Sequence, residues 1–197
     1  MLKVNIYEYD SPCGTLLLAV KRGKLCLCSW KGSKRTEAAM ARLSKLLNVE
    51  FVFPEEKEKK PSSKTISLAI KQLNQYFSKR RKSFNVPYLE MGTEFQKKVW
   101  NNLKDVPYGK TTSYADIAKE IEEPEAIRAV ANVCGDNALS LIIPCHRAIG
   151  SDGSLVGYAG GLPVKRFLID MESTQQTLPF KDPVKRKAKP KSKSMPD

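Results

Sequence analysis

Residues 141–150 read LIIPCHRAIG, setting Cys145 between Pro144, whose ring fixes φ and removes a backbone donor, and His146, the only histidine of the chain. The apolar run Leu141 to Ile143 is expected to form a short extended segment that stops at Pro144 and delivers Cys145 to the mouth of a cleft. Arg147 adds a nearby positive charge, a setting that favours thiolate over thiol. Taken alone, the tetrapeptide also fits a small cysteine buried behind a core strand, because free cysteine is among the most buried residue types.

The residues upstream sharpen the choice. Phe95, Val99 and Leu103 form an amphipathic helix stripe that stops at VPYGK, where Pro107 and Gly109 break it. Ser113 is placed to cap a short helix over Tyr114 to Ile121, EEP at 122–124 turns the chain, and a further helix runs from Glu125 to about Gly135. Ala126, Ala129, Val130 and Val133 recur at helical spacing in that last helix, which leaves Arg128 and Asn132 on its outer face. Two short helices joined by a tight turn have the spacing of a helix-turn-helix, whose second helix enters a DNA groove. Ala126, Ala129 and Gly135 keep that helix thin, which suits close approach to a nucleic-acid backbone and equally suits tight helix packing.

The first half of the chain is patterned differently. From Met1 to about Phe53, Leu2, Val4 and Ile6 alternate with polar residues, SPCG at 11–14 makes a turn, and LLLAV leads through KRGK into LCLCSW, a hairpin-built sheet. Alternation in that last strand puts Cys26 and Cys28 on one face and Leu25 and Leu27 on the other. Helices are expected over Glu37 to Leu47 and Thr65 to Phe77, with a charged, proline-punctuated loop at 53–63 between them. VPYLEMGT at 86–93 marks a domain boundary, so the domains are 1–85 and 86–172. From Ser173 the pattern gives way to a basic, apolar-poor tail over 173–197, expected to be disordered.

Composition bounds the function. The 197 residues carry 34 Lys plus Arg against 21 Asp plus Glu, a net charge of +13, which predicts affinity for a polyanion such as nucleic acid. Five cysteines without a CxxC pair speak for a reducing compartment rather than a disulfide framework. A closed zinc site would need Cys13, Cys26, Cys28 and His146 gathered from distant segments, so neither metal nor cofactor is expected. No apolar run approaches the roughly 20 residues that span a bilayer, and a soluble, intracellular, monomeric protein is expected.

Taken together, GTEFQKKVW at 92–100, VPYGKTTSYADIA at 106–118, AIRAVANVCGDN at 126–137, the IPCHR core and GYAGGL at 157–162 closely resemble the O6-alkylguanine-DNA alkyltransferases. The resemblance covers most of 86–172 and extends more loosely over 1–85 through DSPCGTLLLAV and the helix at Ile66 to Phe77. It implies an α/β fold: an N-terminal ribonuclease-H-like domain, then a mainly helical, winged-helix-like helix-turn-helix domain that holds the site. It implies that Cys145 accepts the alkyl group of O6-alkylguanine in DNA, with O4-alkylthymine a second candidate, in a reaction that consumes the protein. His146 is then the base, acting through a water, and Glu172 orients it. Asn137 braces the turn before Cys145, and Tyr158 donates to the departing guanine. Arg128 fills the stack vacated by the flipped base, and Tyr114 pushes on the 3′ phosphate. Ala148 and Ala159 line the pocket, and Ala159 stands where a serine is familiar in the family.

Two rival readings of the same residues are a non-catalytic binder of alkylated DNA, against which Cys145 itself argues, and a thiol hydrolase using Cys145 and His146. A separate motif, QQTLPF at 175–180, resembles the peptide by which bacterial repair proteins dock on the sliding clamp, with Gln175, Leu178 and Phe180 as the contacts. In a bacterium the protein would be cytoplasmic and associated with the nucleoid.

Overall fold

The computed structural model describes residues 1–54, 61 and 63–173, so the clamp-like motif, the basic tail and most of the charged loop after Phe53 lie outside the described residues. The N-terminal half contains strands β1 (Leu2–Asn5), β2 (Tyr7–Ser11), β3 (Gly14–Lys21), β4 (Lys24–Trp30) and β5 (Val49–Val52), with helices α1 (Lys34–Leu47) and α2 (Lys64–Phe77). Strands β2, β3 and β4 form an antiparallel meander, while β1 pairs in parallel with β5. Helix α1 starts three residues before the expected Glu37, because the chain is still extended at Ser33 and turns helical directly after it.

The alternation expected in β4 fails at one residue. Leu27 pairs with Ala19 and Leu25 with Val20, which leaves Cys26 as an extra residue in a bulge. Cys26 therefore joins Leu17, Ala19 and Leu27 in one buried cluster, while Cys28 joins Leu16, Leu18, Leu25 and Trp30 in the other. The bulge thereby puts Leu25 on the same face as Cys28 and Trp30.

That second half contains α3 (Glu94–Asp105), β6 (Thr112–Ser113), α4 (Tyr114–Glu120), α5 (Ile127–Gly135), β7 (Ala148–Ile149) and α6 (Leu162–Glu172). Its helix starts follow local chemistry. Thr93 and Gln96 form a reciprocal capping box on α3, and Ser113 with Asp116 does the same on α4, each satisfying two backbone donors at a helix end. A 3₁₀ turn at Pro124–Ala126 precedes α5, so the expected helix over 125–135 is a turn followed by nine helical residues.

The two halves meet along the free edge of β4. Leu25 N–H donates to Pro87 O at 2.8 Å and accepts at its carbonyl from Leu89 N–H at 2.8 Å, so the connecting segment runs along the strand. Further on, Cys28 N–H donates to Ala138 O at 2.8 Å and Ser140 N–H donates to Cys28 O at 2.7 Å. The segment leading to Cys145 is thus anchored on the N-terminal sheet, whose exposed edge it covers.

Candidate active site

The approach to Cys145 is a folded turn, not the extended run expected. Leu141 adopts a positive φ of 71°, unusual for a bulky side chain, and Ile143 N–H returns to Leu139 O at 2.9 Å. Cys145–Arg147 then forms a single 3₁₀ turn. Three residues per turn send successive side chains in three directions, which separates Cys145, His146 and Arg147 onto different partners. Cys145 is 2% exposed, so it sits inside the protein and not at the mouth of a cleft.

Asn137 holds the turn and the sulfur together. Its Nδ2 donates to Ile143 O at 2.9 Å and to Cys145 Sγ at 3.2 Å, and its Oδ1 accepts from Leu139 N–H at 2.8 Å. Burial raises the Cys145 pKa, and the Asn137 hydrogen bond and the charges of Lys165 and Arg35 oppose that rise. Arg147, expected to favour the thiolate, is turned elsewhere.

Its guanidinium grips Glu172 instead, with Nε on Oε2 at 2.9 Å and Nη2 on Oε1 at 2.9 Å. His146 Nε2 lies 2.9 Å from Oε1, Tyr76 Oη donates to the same oxygen at 2.6 Å, and Gly109 N–H donates to Oε2 at 3.2 Å. Burial works against the Glu172 carboxylate, but its hydrogen bonds and the charges beside it outweigh burial and hold its pKa far below the usual range. Burial also lowers the His146 pKa, so the imidazole is neutral near pH 7 and Arg147 supplies the compensating charge. An ionised carboxylate only accepts, so Nε2 carries the proton. Nδ1 is buried and bonds no atom of the described protein, Cys145 Sγ included.

Gly109 explains why the break before β6 needs glycine: its φ is +77°, and a Cβ there would stand 2.8 Å from Glu172 O. Gly135, expected to bring the helix close to nucleic acid, lies against the N-terminal half in this structure. The space above it is filled by Arg35 of α1, whose Nη1 would lie 1.6 Å from a Cβ.

The remaining expected residues fall into two sets. Arg128, Ala129 and Asn132 are exposed on α5, and Ala126 is half-buried in the turn before it. Ala129 is therefore not part of the buried stripe, which consists of Val130, Val133, Cys134 and Gly135. Tyr114, expected to meet a phosphate, is buried, with its hydroxyl donating to Val156 O at 2.9 Å. Ala148 is fully buried in β7, paired with Thr112. Tyr158 and Ala159 line a cavity of about 370 Å³ shared with Trp30, Gly160, Cys13 and Gly14.

Sequence reasoning missed Lys165, which is fully buried on α6 and donates to Val156 O at 2.8 Å and Tyr114 Oη at 3.1 Å. Burial lowers its pKa to about 8, against the pull of Cys145 and Cys134. A signal was available: Lys165, Leu168, Ile169 and Glu172 share the spacing of one buried helix face. Trp30, Arg35 and Tyr76 were also missed, and no local pattern marks them.

The fold and the site define a two-domain protein with a buried, hydrogen-bonded cysteine and a buried histidine–glutamate–arginine cluster behind it. Residues 6–89 match the ribonuclease-like domain, and residues 94–174 the DNA binding domain, of 6-O-methylguanine DNA methyltransferase. The methylated-DNA–protein-cysteine methyltransferase of Methanosarcina acetivorans is 41% identical over 167 residues, which is 84% of this chain and 96% of that protein. The inducible methyltransferase of the same name from Bacillus subtilis is 48% identical over 101 residues, 51% of this chain and 56% of that protein. The crystal structure of Mycobacterium tuberculosis OGT in complex with DNA superposes with a TM-score of 0.72 at 35% identity, covering 88% of this chain and 95% of that one. The chain belongs to the 6-O-methylguanine DNA methyltransferase family.

Proposed function

We propose that this protein repairs DNA by moving the alkyl group of O6-alkylguanine onto the sulfur of Cys145, once per molecule. The observation that carries this reading is the placement of Asn137 Nδ2 at 3.2 Å from Sγ, with His146 held at 2.9 Å on Glu172 and its Nδ1 bare. At rest the buried thiol keeps its proton. A water between Sγ and Nδ1 passes that proton to His146, and the Glu172 carboxylate stabilises the imidazolium that forms. The thiolate then attacks the alkyl carbon in line: the S–C bond forms as the C–O6 bond breaks, and the electron pair leaves on guanine. Tyr158 gives that anion a hydrogen bond from its hydroxyl while keeping the proton, and the backbone N–H of Ala159 serves O6. A thioether has no good leaving group, so the protein is spent.

DNA is the partner, in keeping with the net charge of +13 and with the DNA-bound mycobacterial relative. The target base has to leave the stack, at a cost of a few kcal/mol. Arg128, exposed at the start of α5 beside Ala126 and Ala129, fills the space it leaves. Tyr114 enters this reading as a brace, with Lys165, for the Val156–Tyr158 segment, and Ala148 as a packed floor. Residues 1–85 form the N-terminal domain and 86–172 the domain that carries the site. In a bacterial cell the protein works on the cytoplasmic nucleoid.

Intact-protein mass spectrometry after mixing with a duplex containing O6-methylguanine tests this. The expected gain is about 14 Da, one CH₂ as S–H becomes S–CH₃, confined to Cys145, complete at one equivalent and absent in Cys145→Ala. Tight binding without a mass gain would favour the non-catalytic reading, and repeated turnover of an ester without modification the hydrolase.

The Gln175–Phe180 segment is proposed as a clamp-docking peptide on its sequence alone, with Leu178 and Phe180 in apolar pockets. Capture by a bacterial sliding clamp that is unchanged in Leu178→Ala/Phe180→Ala would exclude it.

A further inference from the structure

Trp30 belongs to the N-terminal sheet, at the last position of β4, yet its indole lies on the active-site loop. Its Nε1–H donates to Tyr158 Oη at 3.1 Å, and the two rings meet edge-on with centroids 6.2 Å apart. Gly160 is stacked against the same indole, so closely that a Cβ there would fall 2.9 Å from the ring. Trp30 is 3% exposed and Tyr158 7%, and both border the cavity that Ala159 and Gly160 line.

An indole N–H can only donate. Tyr158 Oη is therefore the acceptor in this contact, and its own hydrogen is left for a second partner. A hydroxyl that accepts one hydrogen bond donates a stronger one, because bonds in a chain polarise each other. Burial pushes the Tyr158 pKa well up, and the Trp30 contact pulls it back.

We propose that Trp30 is a positioning residue for alkyl transfer, holding the Tyr158 hydroxyl as a donor so that its hydrogen meets the guanine anion as that anion leaves. The inference rests on the reading of Tyr158 given above. It makes the N-terminal domain part of the reaction, through one side chain that touches neither the sulfur nor its proton relay.

The test is a double-mutant cycle on the single-turnover rate at saturating duplex with O6-methylguanine, using the full chain, Trp30→Phe, Tyr158→Phe and the double variant. Trp30→Phe keeps an aromatic side chain beside Gly160 and removes the indole N–H together with part of the ring, and the Tyr158→Phe background separates the two losses. It is expected to slow transfer about tenfold with DNA affinity unchanged, and less than about twofold when Tyr158 is already Phe. Equal slowing in both backgrounds would reduce Trp30 to a packing residue and overturn the proposal. Slowing by Tyr158→Phe but none by Trp30→Phe would overturn it while leaving the Tyr158 reading intact. No slowing by Tyr158→Phe would remove that reading and the proposal together. A second measurement leaves Trp30 in place: the chain has two Trp, so its amide spectrum holds two indole N–H signals, and Tyr158→Phe is expected to shift one of them strongly. If neither moves, the hydrogen bond does not exist in solution and the proposal falls.

Discussion

The two halves of this molecule contribute to one site in opposite ways. The C-terminal half supplies Asn137, Cys145, His146, Tyr158, Lys165 and Glu172 from neighbouring turns and one helix face. The N-terminal half supplies single side chains from scattered positions, Trp30 on Tyr158, Arg35 over Gly135 and Tyr76 on Glu172. The first set holds the sulfur, the imidazole and the carboxylate, and the second adds an indole, a phenol and a guanidinium that touch or lie near them. A half without the sulfur can still fix how the sulfur's neighbours point.

Breaking the C-terminal set is expected to have the largest effect. Glu172→Gln removes the negative charge behind His146 and leaves Arg147 without a counter-charge in a buried place, so the transfer rate should fall by about 10² or more and stability by about 3 kcal/mol. Quenched-flow alkyl transfer and urea unfolding check both. The pH dependence has a defined sign: a carboxyl held below its unfolded pKa of about 4.3 stabilises fully above that value and loses its contribution as pH falls through the folded pKa. Urea midpoints should therefore drop on acidification below about pH 5 in the native chain and much less in Glu172→Gln.

Lys165→Met comes next. The native ammonium, with its pKa lowered to about 8, favours the Cys145 thiolate at neutral pH and loses that effect as it deprotonates. The variant should transfer about tenfold more slowly at pH 7, with the gap narrowing above pH 8. A gap that stays constant up to pH 10 would mean that Lys165 acts by bracing Val156 and Tyr114 and not by its charge.

Tyr76→Phe probes the N-terminal set on the relay. It frees Glu172 Oε1 from one of its donors, so His146 should become more basic and the acid limb of the pH–rate profile should move to higher pH. Stability should fall by about 1 kcal/mol for the lost hydrogen bond. A rate loss as large as that of Glu172→Gln would erase the distinction between the two halves.

The smallest effect is expected at the cap of α3. Thr93→Ala should cost about 1 kcal/mol in unfolding and leave the single-turnover rate unchanged, because the capping box acts on the helix end and touches no part of the site. A measurable slowing would show that α3 transmits to the active-site turn.

Much of this was legible along the chain. The cap at Ser113, the helix stripe of α3, the cysteine–histidine pair and the outward face that carries Arg128 all follow from spacing within a few residues, which a linear pattern records. An apolar run before proline predicts an extended approach to Cys145; the structure has a turn there because 138–140 pairs with β4, a partner more than a hundred residues away. The bulge at Cys26 has the same origin, since register is set by the partner strand and not by the alternation of one strand alone.

By itself, then, the sequence determined which residue types stand ready to react and which segments are helical, because these depend on side-chain chemistry and short-range hydrogen bonds. Only the tertiary structure decided that Arg147 turns to Glu172, that Lys165 and Arg35 supply the charge near Cys145, and that Trp30 and Tyr76 reach across from the other half. Those pairings are contacts between elements far apart in the chain, made inside a core where burial excludes water and each buried polar group has to find its partner.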